Sequence, residues 1–430
     1  MQFTKNQIIF LIIAGVIVVT LLVVVFGFGL RQTGKPTELV VWGVEDARVF
    51  QNITGQFQAL HPELAVSYKK FNEDTYERDL LNNLAAGDRP DVLFFENNWL
   101  LKHGDKLLPA VYQTEEETIT KFTPDQTRSL FPRVVEQDFI AGGKVYALPL
   151  YIDTLAMAYN RDLFDKAGIV FPATTWEGLG DTVGVLKIMN GANVQRGAYA
   201  LGGSSKSVGN AGDIVQALLL QGGVDMVNEK YTSALFADED GREIFGIYTR
   251  FSDPSSTFYS WNDSMQEAKE SFTKGDVAAI FAYSKELRDL KARNAFLDIG
   301  IAPLPQLDTN EEVNFADYWG LAVFSGSAHK SEAWDFVVFA TTNTDIARTY
   351  FNLTRNPPAL REIINLTLEN PEVGVFAKQA LTARSWLQPG EEIVRSAFDE
   401  AIGLVLSREL TPAKAIQKAE AMVTEALKRK

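Results

Sequence analysis

A chain of 430 residues is long for a single hydrophobic core, so its length predicts two domains, and a hydrophobic content of 46% is enough to bury both. The formal net charge of -14 argues against nucleic acid and anionic lipid as partners, because both would need a basic face to neutralise phosphate. The absence of cysteine excludes a disulfide framework, thiolate chemistry and a lipobox cysteine that could carry a diacylglyceryl anchor.

The N-terminal segment carries a long apolar run. Residues 8–30 contain no charged side chain, and as a helix rising about 1.5 Å per residue they reach roughly 30 Å or slightly more, enough to cross a bilayer core. The alternative is a cleaved secretory signal peptide with Lys5 in its basic region, although this run exceeds the usual apolar region of about 7 to 15 residues. Residues 1–35 are therefore predicted to be a membrane anchor or uncleaved signal. The basic residues are nearly balanced across this run, with Lys5 and the α-amino group before it and Arg31 and Lys35 after it, so they do not fix its orientation. We expect a single pass with the folded part on the extracytoplasmic side of the cell membrane.

After a linker containing Pro36, the first elements alternate between strand and helix. Apolar spacing predicts, in order, a strand at 38–42, a helix at 45–60, a strand at 64–68, a helix at 75–86 and a strand at 91–95. This order indicates parallel β-α-β units, in which the loops at the carboxyl ends of the strands form ligand crevices. Here those loops are 43–46 and 96–99.

Residues 142–160, with the sequence GGKVYALPLYIDTLAMAYN, have the pattern of a crossing between two lobes. Two apolar strands flank Pro149, which cannot donate a hydrogen bond to a ladder. Tyr151, Asp153 and Thr154 would lie at the crossing itself. A β-hairpin with a buried second strand fits the same pattern, and the residues alone leave both interpretations open.

The second half of the chain contains another strand, 299–302, that is interrupted by Pro303 and Pro305, and this suggests a second crossing. The remainder, from residue 345 to residue 430, is predicted to be helical with breaks at prolines. The glycine-rich loop at 202–212 lacks the spacing of a phosphate loop, and the three histidines are widely separated. We therefore expect no metal site, no cofactor and no catalytic motif.

Seven short motifs follow one another along the chain. They are Phe57 with His61 and Pro62; LAAGD at 84–88 with PDV at 90–92; GKVYALP at 143–149; YNRDL at 159–163; TWEGL at 175–179; Ala268 with Phe272, Gly275 and Ala278; and WGLAV at 319–323 with AWDF at 333–336. In this order they resemble the extracellular solute-binding proteins of ABC importers, the family that includes maltose-binding protein. Many of these relatives carry a cleaved signal or a lipobox cysteine, so the N-terminal segment is where this chain departs from the family.

The resemblance implies an α/β chain with the two-lobed fold of periplasmic binding proteins, and the apolar run predicts that a transmembrane helix precedes it. Each lobe would be assembled from two separate segments and joined to the other by three hinge crossings. The implied segments are 36–150 plus 303–342 for the N-lobe and 151–302 plus 343–430 for the C-lobe, with crossings near 151–153, 301–305 and 341–345.

The resemblance also implies a function. A small solute would be held between the lobes and trapped by hinge closure, because a ligand that contacts both lobes at once favours the closed form. The chain would then act as a monomer that delivers its solute to the permease subunits of an ABC importer. An abundance of aromatic candidates at the implied cleft favours a carbohydrate, although relatives also bind other solutes.

Candidate site residues were sought on the loops that the family places at the cleft. An aromatic ring offers a flat apolar face to the C–H side of a sugar, whereas carboxylates and amides take its hydroxyls. For the tryptophans outside the loop at 96–99, packing in a core is the open alternative. The candidates are Trp42, Glu45, Asp46, Asn97, Asn98, Trp99, Tyr151, Asp153, Tyr283, Trp319 and Trp386.

Two other functions share part of this pattern. A membrane-anchored glycosidase would need two carboxylates across a cleft, which Asp46 and Asp153 could supply, but no nucleophile or metal motif accompanies them. A ligand-sensing ectodomain of a signalling system would have the same fold without a permease partner. We therefore predict a binding protein, not an enzyme, whose solute is a sugar or oligosaccharide.

Overall fold

The computed structural model describes residues 36–429. Its strands are Thr37–Gly43, Leu64–Lys70, Val92–Glu96, Leu107–Leu108, Val111–Gln113, Thr118–Thr120, Ile140–Ala141, Lys144–Val145, Ala147–Pro149, Asp153–Thr154, Ala156–Asn160, Ile188–Asn190, Asn193–Tyr199, Val277–Ala282, Ile299–Ala302, Asn314–Asp317, Trp319–Phe324 and Ala383–Arg384. Its α-helices are Ala47–Leu60, Tyr76–Ala85, Leu100–His103, Pro124–Leu130, Arg133–Phe139, Arg161–Lys166, Trp176–Leu186, Ala211–Gln221, Glu239–Thr249, Ala268–Lys274, Ser284–Arg293, Lys330–Thr342, Thr344–Thr354, Arg361–Thr367, Gly374–Ala380, Glu391–Leu406 and Pro412–Lys428.

The apolar run predicted to cross the membrane, residues 8–30, lies outside the described residues. Between residues 36 and 429, no helix combines the length and the apolar composition that a membrane span requires.

The first lobe is built on a sheet whose central strands come from the N-terminal β-α-β units. Thr37–Gly43 pairs in parallel with Leu64–Lys70 on one side and with Val92–Glu96 on the other, as the alternation of strand and helix predicts. A strand from far along the chain, Trp319–Phe324, then joins antiparallel to Val92–Glu96. This register places Trp319 opposite Glu96, so two residues more than 200 positions apart meet at the same end of the sheet.

The second lobe is built on a separate five-stranded sheet. Its order across the sheet is Ile188–Asn190, Asn193–Tyr199, Val277–Ala282, Ala156–Asn160 and Ile299–Ala302. All six residues of the strand Val277–Ala282 are buried, and its C-terminal end leads directly into the helix Ser284–Arg293. This connection carries the start of that helix to the boundary between the lobes.

A small sheet connects the lobes. Asn314–Asp317 pairs antiparallel with Asp153–Thr154 and in parallel with Ala383–Arg384, and Asp153 lies opposite Asp317. The first crossing, predicted near residues 151–153, coincides with the first of these three strands. We call Asp153–Thr154, Asn314–Asp317 and Ala383–Arg384 the hinge strands.

The other two crossings lie later in the chain than predicted. Pro303 and Pro305 do end a strand, but the residues after them stay with the second lobe, because Gln306 N–H donates to Thr174 at 2.9 Å and Val313 belongs to the second hydrophobic core. The second crossing is therefore at Asn314–Asp317. Proline removes a ladder donor and so predicts where a strand stops, but it does not predict which lobe the following residues join.

The segment after residue 342 also differs from the predicted lobe boundary at 343. The helices Thr344–Thr354 and Arg361–Thr367 pack into the first hydrophobic core through Ile346, Tyr350 and Ile364. The chain returns to the second lobe only after Ala383–Arg384, where Glu391–Leu406 and Pro412–Lys428 cover its core. Helical spacing predicts the apolar face of each helix, whereas the core that this face joins depends on tertiary packing.

Candidate functional site

A cavity of about 1050 Å³ lies between the lobes, next to the hinge strands. Its walls come from the loop at 96–99 and Trp319 in the first lobe, from hinge residue Asp317, and from second-lobe residues such as Tyr283. Five of the residues predicted from the sequence line this cavity. They are Asn97, Asn98, Trp99, Tyr283 and Trp319.

The two asparagines of the loop at 96–99 have different roles. Asn97 is 2% exposed, and its side-chain amide donates to Asp138 at 3.1 Å, within a buried group where the Tyr318 hydroxyl donates to the same carboxyl at 2.7 Å. Burial raises the pKa of Asp138 to about 7. Asn98 is also buried, but its Oδ1 has no hydrogen-bond partner among the described residues. The side chain of Asn97 thus stabilises the loop, and that of Asn98 remains able to accept from a ligand.

Two tryptophans in the first-lobe wall hold one another in place. The rings of Trp99 and Trp319 meet edge to face, with centroids 5.2 Å apart, and Trp99 also lies parallel to Tyr76 at 6.2 Å. Only 4% of Trp99 and 7% of Trp319 is exposed. Trp319 therefore packs in the core and lines the cavity at the same time, although the sequence presents these two roles as alternatives.

Tyr283 brings a polar second-lobe group to the same cavity. Its hydroxyl donates to Asp213 at 3.0 Å, and both residues line the wall. Burial raises the pKa of Tyr283 well above its ordinary value, with the neighbouring Asp213 charge as a second cause, so the phenol stays protonated. A protonated phenol donates to the carboxylate and leaves its oxygen free to accept.

The wall of this cavity is strongly acidic. Three of its acids have raised pKa values. The pKa of Glu96 lies well above its ordinary value, that of Asp317 is raised to about 8, and that of Asp213 is raised to about 7. Burial is the main cause of each shift, and the negative charge of Glu391 adds to it. The acidic residues in the wall are Glu73, Asp74, Glu77, Glu96, Asp213, Glu286, Asp317, Glu391 and Glu392, and the basic ones are Arg78, Lys102, Lys269, Lys285 and Arg395. Nine acids against five bases leave an excess of four negative charges when all are ionised.

Ion pairs and hydrogen bonds connect the lobes beside the cavity. Lys285, at the start of the helix Ser284–Arg293, pairs with Glu73 of the first lobe. In the next turn of that helix, Arg288 donates to Asn356 Oδ1 at 2.7 Å. These contacts cross from one lobe to the other and hold the lobes together beside the hinge strands.

The loop at 43–46 lines a second, smaller cavity of about 520 Å³, which shares Glu73 and Lys285 with the large one. Three predicted site residues are found there instead of in the large cavity. Glu45 accepts from the Tyr350 hydroxyl at 2.6 Å, Asp46 caps the helix Ala47–Leu60, and the ring of Tyr151 stacks on that of Tyr350 at 6.3 Å. The Arg48 side chain and backbone N–H lower the pKa of Asp46.

Asp153 lines neither of these cavities. It is 3% exposed and accepts from the Ser284 hydroxyl at 2.7 Å, the Ser284 N–H at 3.1 Å and the Thr154 N–H at 2.9 Å. Its carboxyl therefore ties a hinge strand to the start of a second-lobe helix. Asp46 and Asp153 do not face a common cavity, so the pair of carboxylates that a glycosidase would need is not formed by them.

Two predicted tryptophans also lie away from the large cavity. Trp42 is 3% exposed in the first core, beside Phe71, and Trp386 lines a third cavity of about 240 Å³. The indole N–H of Trp386 donates at 2.7 Å to Gln216, which does line the large cavity. Trp386 thus positions a wall residue from behind.

Comparison with known proteins identifies the family. Residues 43–346 match the bacterial extracellular solute-binding proteins. The chain belongs to this family. The match covers most of the chain, and the resemblance stated from seven short motifs is confirmed.

Relatives of this solute-binding protein include sugar-binding proteins from distant organisms. The galactooligosaccharide-binding protein of Bacillus subtilis is 24% identical over 355 residues, which are 78% of this chain and 76% of that protein. The maltotriose-binding protein of Pyrococcus abyssi is 21% identical over 349 residues, which are 78% of this chain and 68% of that protein.

A solved structure supports the fold. The cyclic alpha-maltosyl-1,6-maltose binding protein of Arthrobacter globiformis matches with a TM-score of 0.75 and 19% identity, over 92% of this chain and 100% of that chain. At this identity the likeness shows the fold alone. It confirms the prediction of a two-lobed α/β periplasmic-binding-protein fold.

The residues that sequence reasoning missed in this solute-binding protein are mainly acids at the ends of elements. Glu96 ends a strand in front of the predicted asparagines, Asp317 ends a hinge strand, and Glu391 begins a helix. Carboxylates were expected at the cleft, but the predicted ones were Glu45, Asp46 and Asp153, and the distance along the chain hides that Asp317 and Glu391 join Glu96 in one cavity. A signal was present at Glu391 and Arg395, which are spaced as an i, i+4 ion pair directly after a proline and a glycine.

Proposed function

We propose that this solute-binding protein captures a sugar or oligosaccharide in the large cavity by closure of its lobes around the hinge strands. The observation that carries the proposal is the position of the cavity, whose walls come from both lobes and from the hinge. A solute there contacts both lobes at once, so its binding free energy selects the closed conformation.

The composition of the walls supports a carbohydrate. Trp99, Trp319 and Tyr283 supply aromatic surface, and Asn98 and Gln388 supply buried amide oxygens for hydroxyl groups. A volume of about 1050 Å³ slightly exceeds the range of about 300–1,000 Å³ for small-molecule pockets, which favours an oligosaccharide. Relatives named for maltotriose and galactooligosaccharides agree with this class of solute.

We further propose that residues 1–35 tether the protein to the cell membrane, with the folded part outside as a monomer. The uncharged apolar run at 8–30 supports the tether, and the family description supports the outer side. A tether would hold the loaded protein near the permease subunits of an ABC importer, to which it would deliver its solute. Retention of the N-terminal segment is tested by measuring the mass of the protein extracted from membranes.

A thermal-shift screen of the soluble part, beginning near Pro36, tests solute binding. A solute at about 100 times its Kd stabilises the native state by roughly 2.7 kcal/mol, which raises the melting temperature by several degrees. Small-angle scattering with the same solute should show a more compact molecule. If no carbohydrate shifts the melting temperature and another solute class does, the carbohydrate proposal is wrong.

Paired variants locate the site. Gln388→Ala removes an amide from the cavity wall and should weaken solute binding by about tenfold. Gln56→Ala removes an amide from an exposed helix position in the first lobe and should leave affinity as it was. If calorimetry gave equal affinities for the two variants, the solute would bind at a place other than this cavity.

A further inference from the structure

Four carboxyl groups meet at the large cavity from different parts of the fold. Glu96 ends a first-lobe strand, Asp317 ends the central hinge strand, and Asp213 and Glu391 lie in the first turns of two second-lobe helices. All four line this one cavity, and the charge of Glu391 raises the pKa of the other three. Carboxylates that share a cavity repel one another, so a bound proton or cation stabilises them there.

The basic side chains of the cavity neutralise this cluster only in part. Lys102, Lys269 and Lys285 each pair with a carboxylate outside it, and Arg395 pairs with Glu391. Between residues 36 and 429, no ion pair involves the other three members, Glu96, Asp213 and Asp317. The charge of Arg395 lowers the pKa of Asp213 and that of Lys285 lowers the pKa of Asp317, but these two cations do not balance four carboxylates. The cluster therefore presents three carboxyl groups that have no ion pair of their own.

A second feature of the wall is independent of these acids. Asn98 is 7% exposed and Gln388 is 4% exposed, and both line the cavity. Asn98 Oδ1 and Gln388 Oε1 find no hydrogen-bond donor in the described part of the chain. A buried acceptor without a donor destabilises the closed form, so both oxygens call for donors from the solute.

We propose that the solute of this cavity is an amino sugar, and that its primary ammonium group is recognised between Glu96 and Glu391 with Asp317 beside them. This deepens the proposed function and depends on it. An ammonium group has three donors and no acceptor, so it can donate to more than one of these carboxylates at once. The ring hydroxyls then donate to Asn98 and Gln388.

A linear polyamine would satisfy the carboxylates but not the rest of the wall. Trp99 and Trp319 face the cavity with apolar surface, and the two amide oxygens require further donors away from the acids. A sugar ring supplies a C–H face and several hydroxyls together with its amine. A lone divalent cation fits less well still, because no three acidic or histidine side chains between residues 36 and 429 are close enough to hold a metal ion.

Recognition of an ammonium group also predicts proton release. Burial raises the pKa of Asp317 to about 8 and that of Asp213 to about 7, so the unliganded cavity holds protons near neutral pH. The charged groups that face the cluster are Arg395 and Lys285 together with Glu73, Glu77 and Glu286. A cationic solute favours the carboxylate forms and drives protons into solvent, whereas a neutral sugar does not.

Calorimetric titration of the soluble part with matched sugars tests the proposal. Each of glucosamine, galactosamine and their short oligosaccharides is compared with its N-acetylated and its neutral hydroxyl counterpart. Spermidine and calcium chloride alone are included as other sources of positive charge. We expect the amino form to bind about 10- to 100-fold more tightly than its counterparts, with proton release detected in buffers of different ionisation enthalpy.

Charge-removing variants of unchanged shape complete the test. Glu96→Gln and Asp213→Asn should each reduce the preference for the amino form, whereas Glu239→Gln, an exposed second-lobe acid, should retain it. Equal affinity for amino and neutral sugars, or a preference for spermidine or calcium, would overturn the amino-sugar assignment. Neither result would by itself decide whether the protein binds sugars. A screen in which no sugar of any kind binds would instead refute the proposed function.

Discussion

Asp153 provides a direct test of how the hinge is held together. The sequence suggests a ligand contact at this position, but the carboxyl is buried and accepts its three shortest hydrogen bonds from Thr154 and Ser284, with a fourth, at 3.4 Å, from the Lys285 N–H. In Asp153→Ala the hydroxyl and the two N–H groups would lose their acceptor inside the protein. Desolvation raises the pKa of this carboxyl above its ordinary value, whereas the hydrogen bonds from Ser284 and Thr154 lower it.

The size of the loss follows from those three bonds. Removal of an N-cap side chain costs about 0.5–2 kcal/mol, and buried donors left without a partner raise the total to about 2–5 kcal/mol. For lobes of this size we expect the melting temperature to fall by roughly 5–15 °C. Asp238→Ala is the matched control, because Asp238 caps the helix Glu239–Thr249 from an exposed position with a single 2.8 Å bond from Gly241. It should lose only about 1 kcal/mol.

Differential scanning calorimetry of the soluble part measures both variants, and hydrogen exchange should show faster opening of the helix Ser284–Arg293 in Asp153→Ala. Below its melting temperature, this variant should still bind solute. If Asp153→Ala kept the wild-type melting temperature but bound no solute, the structural role of Asp153 would be refuted. The ligand contact predicted from the sequence would then be the better explanation.

Three further predictions concern the cavity. Burial raises the pKa of Asp213 to about 7 and that of Asp317 to about 8, so below those pH values the folded state binds protons that the unfolded chain releases. This proton binding stabilises the folded state, and the stabilisation is lost as the pH rises through the two pKa values. The free energy of unfolding of the unliganded protein should thus increase by on the order of 1–3 kcal/mol as the pH falls from about 8 to about 6, and Asp213→Asn should flatten this dependence in chemical denaturation. Lys285→Gln removes the ion pair with Glu73, whose side chains are 45% and 42% exposed, so solute affinity should fall by no more than about fivefold at low salt and scattering should show a more open unliganded molecule. Trp386→Phe removes the indole N–H that fixes a glutamine of the wall, and calorimetry should show about three- to tenfold weaker binding with cooperative melting retained.

Local pattern was sufficient to predict the first three strands of the first lobe. The parallel strands predicted at 38–42, 64–68 and 91–95 are observed as Thr37–Gly43, Leu64–Lys70 and Val92–Glu96. Apolar periodicity and the residues that end helices depend only on near neighbours in the chain, so they are readable without a structure. Gly87 illustrates this, because it follows a helix with a φ of 100°, which glycine adopts without strain.

The site was only partly predictable, because it depends on which chain segments meet. The loop at 96–99 follows a buried strand and does line the cavity, as expected for the carboxyl end of a parallel strand. Trp42 and Asp153 have the same residue types as true cavity walls, yet packing draws one into a core and ties the other to the start of a second-lobe helix. Residue type does not encode that choice.

By itself, the sequence determined the class of this protein: an acidic chain of α/β units, without cysteine, whose ordered motifs belong to the solute-binding family. Its local pattern specifies where strands and helices form, because backbone geometry and apolar spacing act over a few residues. Only the tertiary structure decided that Glu96, Asp317 and Glu391 share one cavity, since their separation along the chain is bridged by a sheet register and a hinge. The acidity of the cleft arises from that long-range pairing, and with it the cationic solute that we infer.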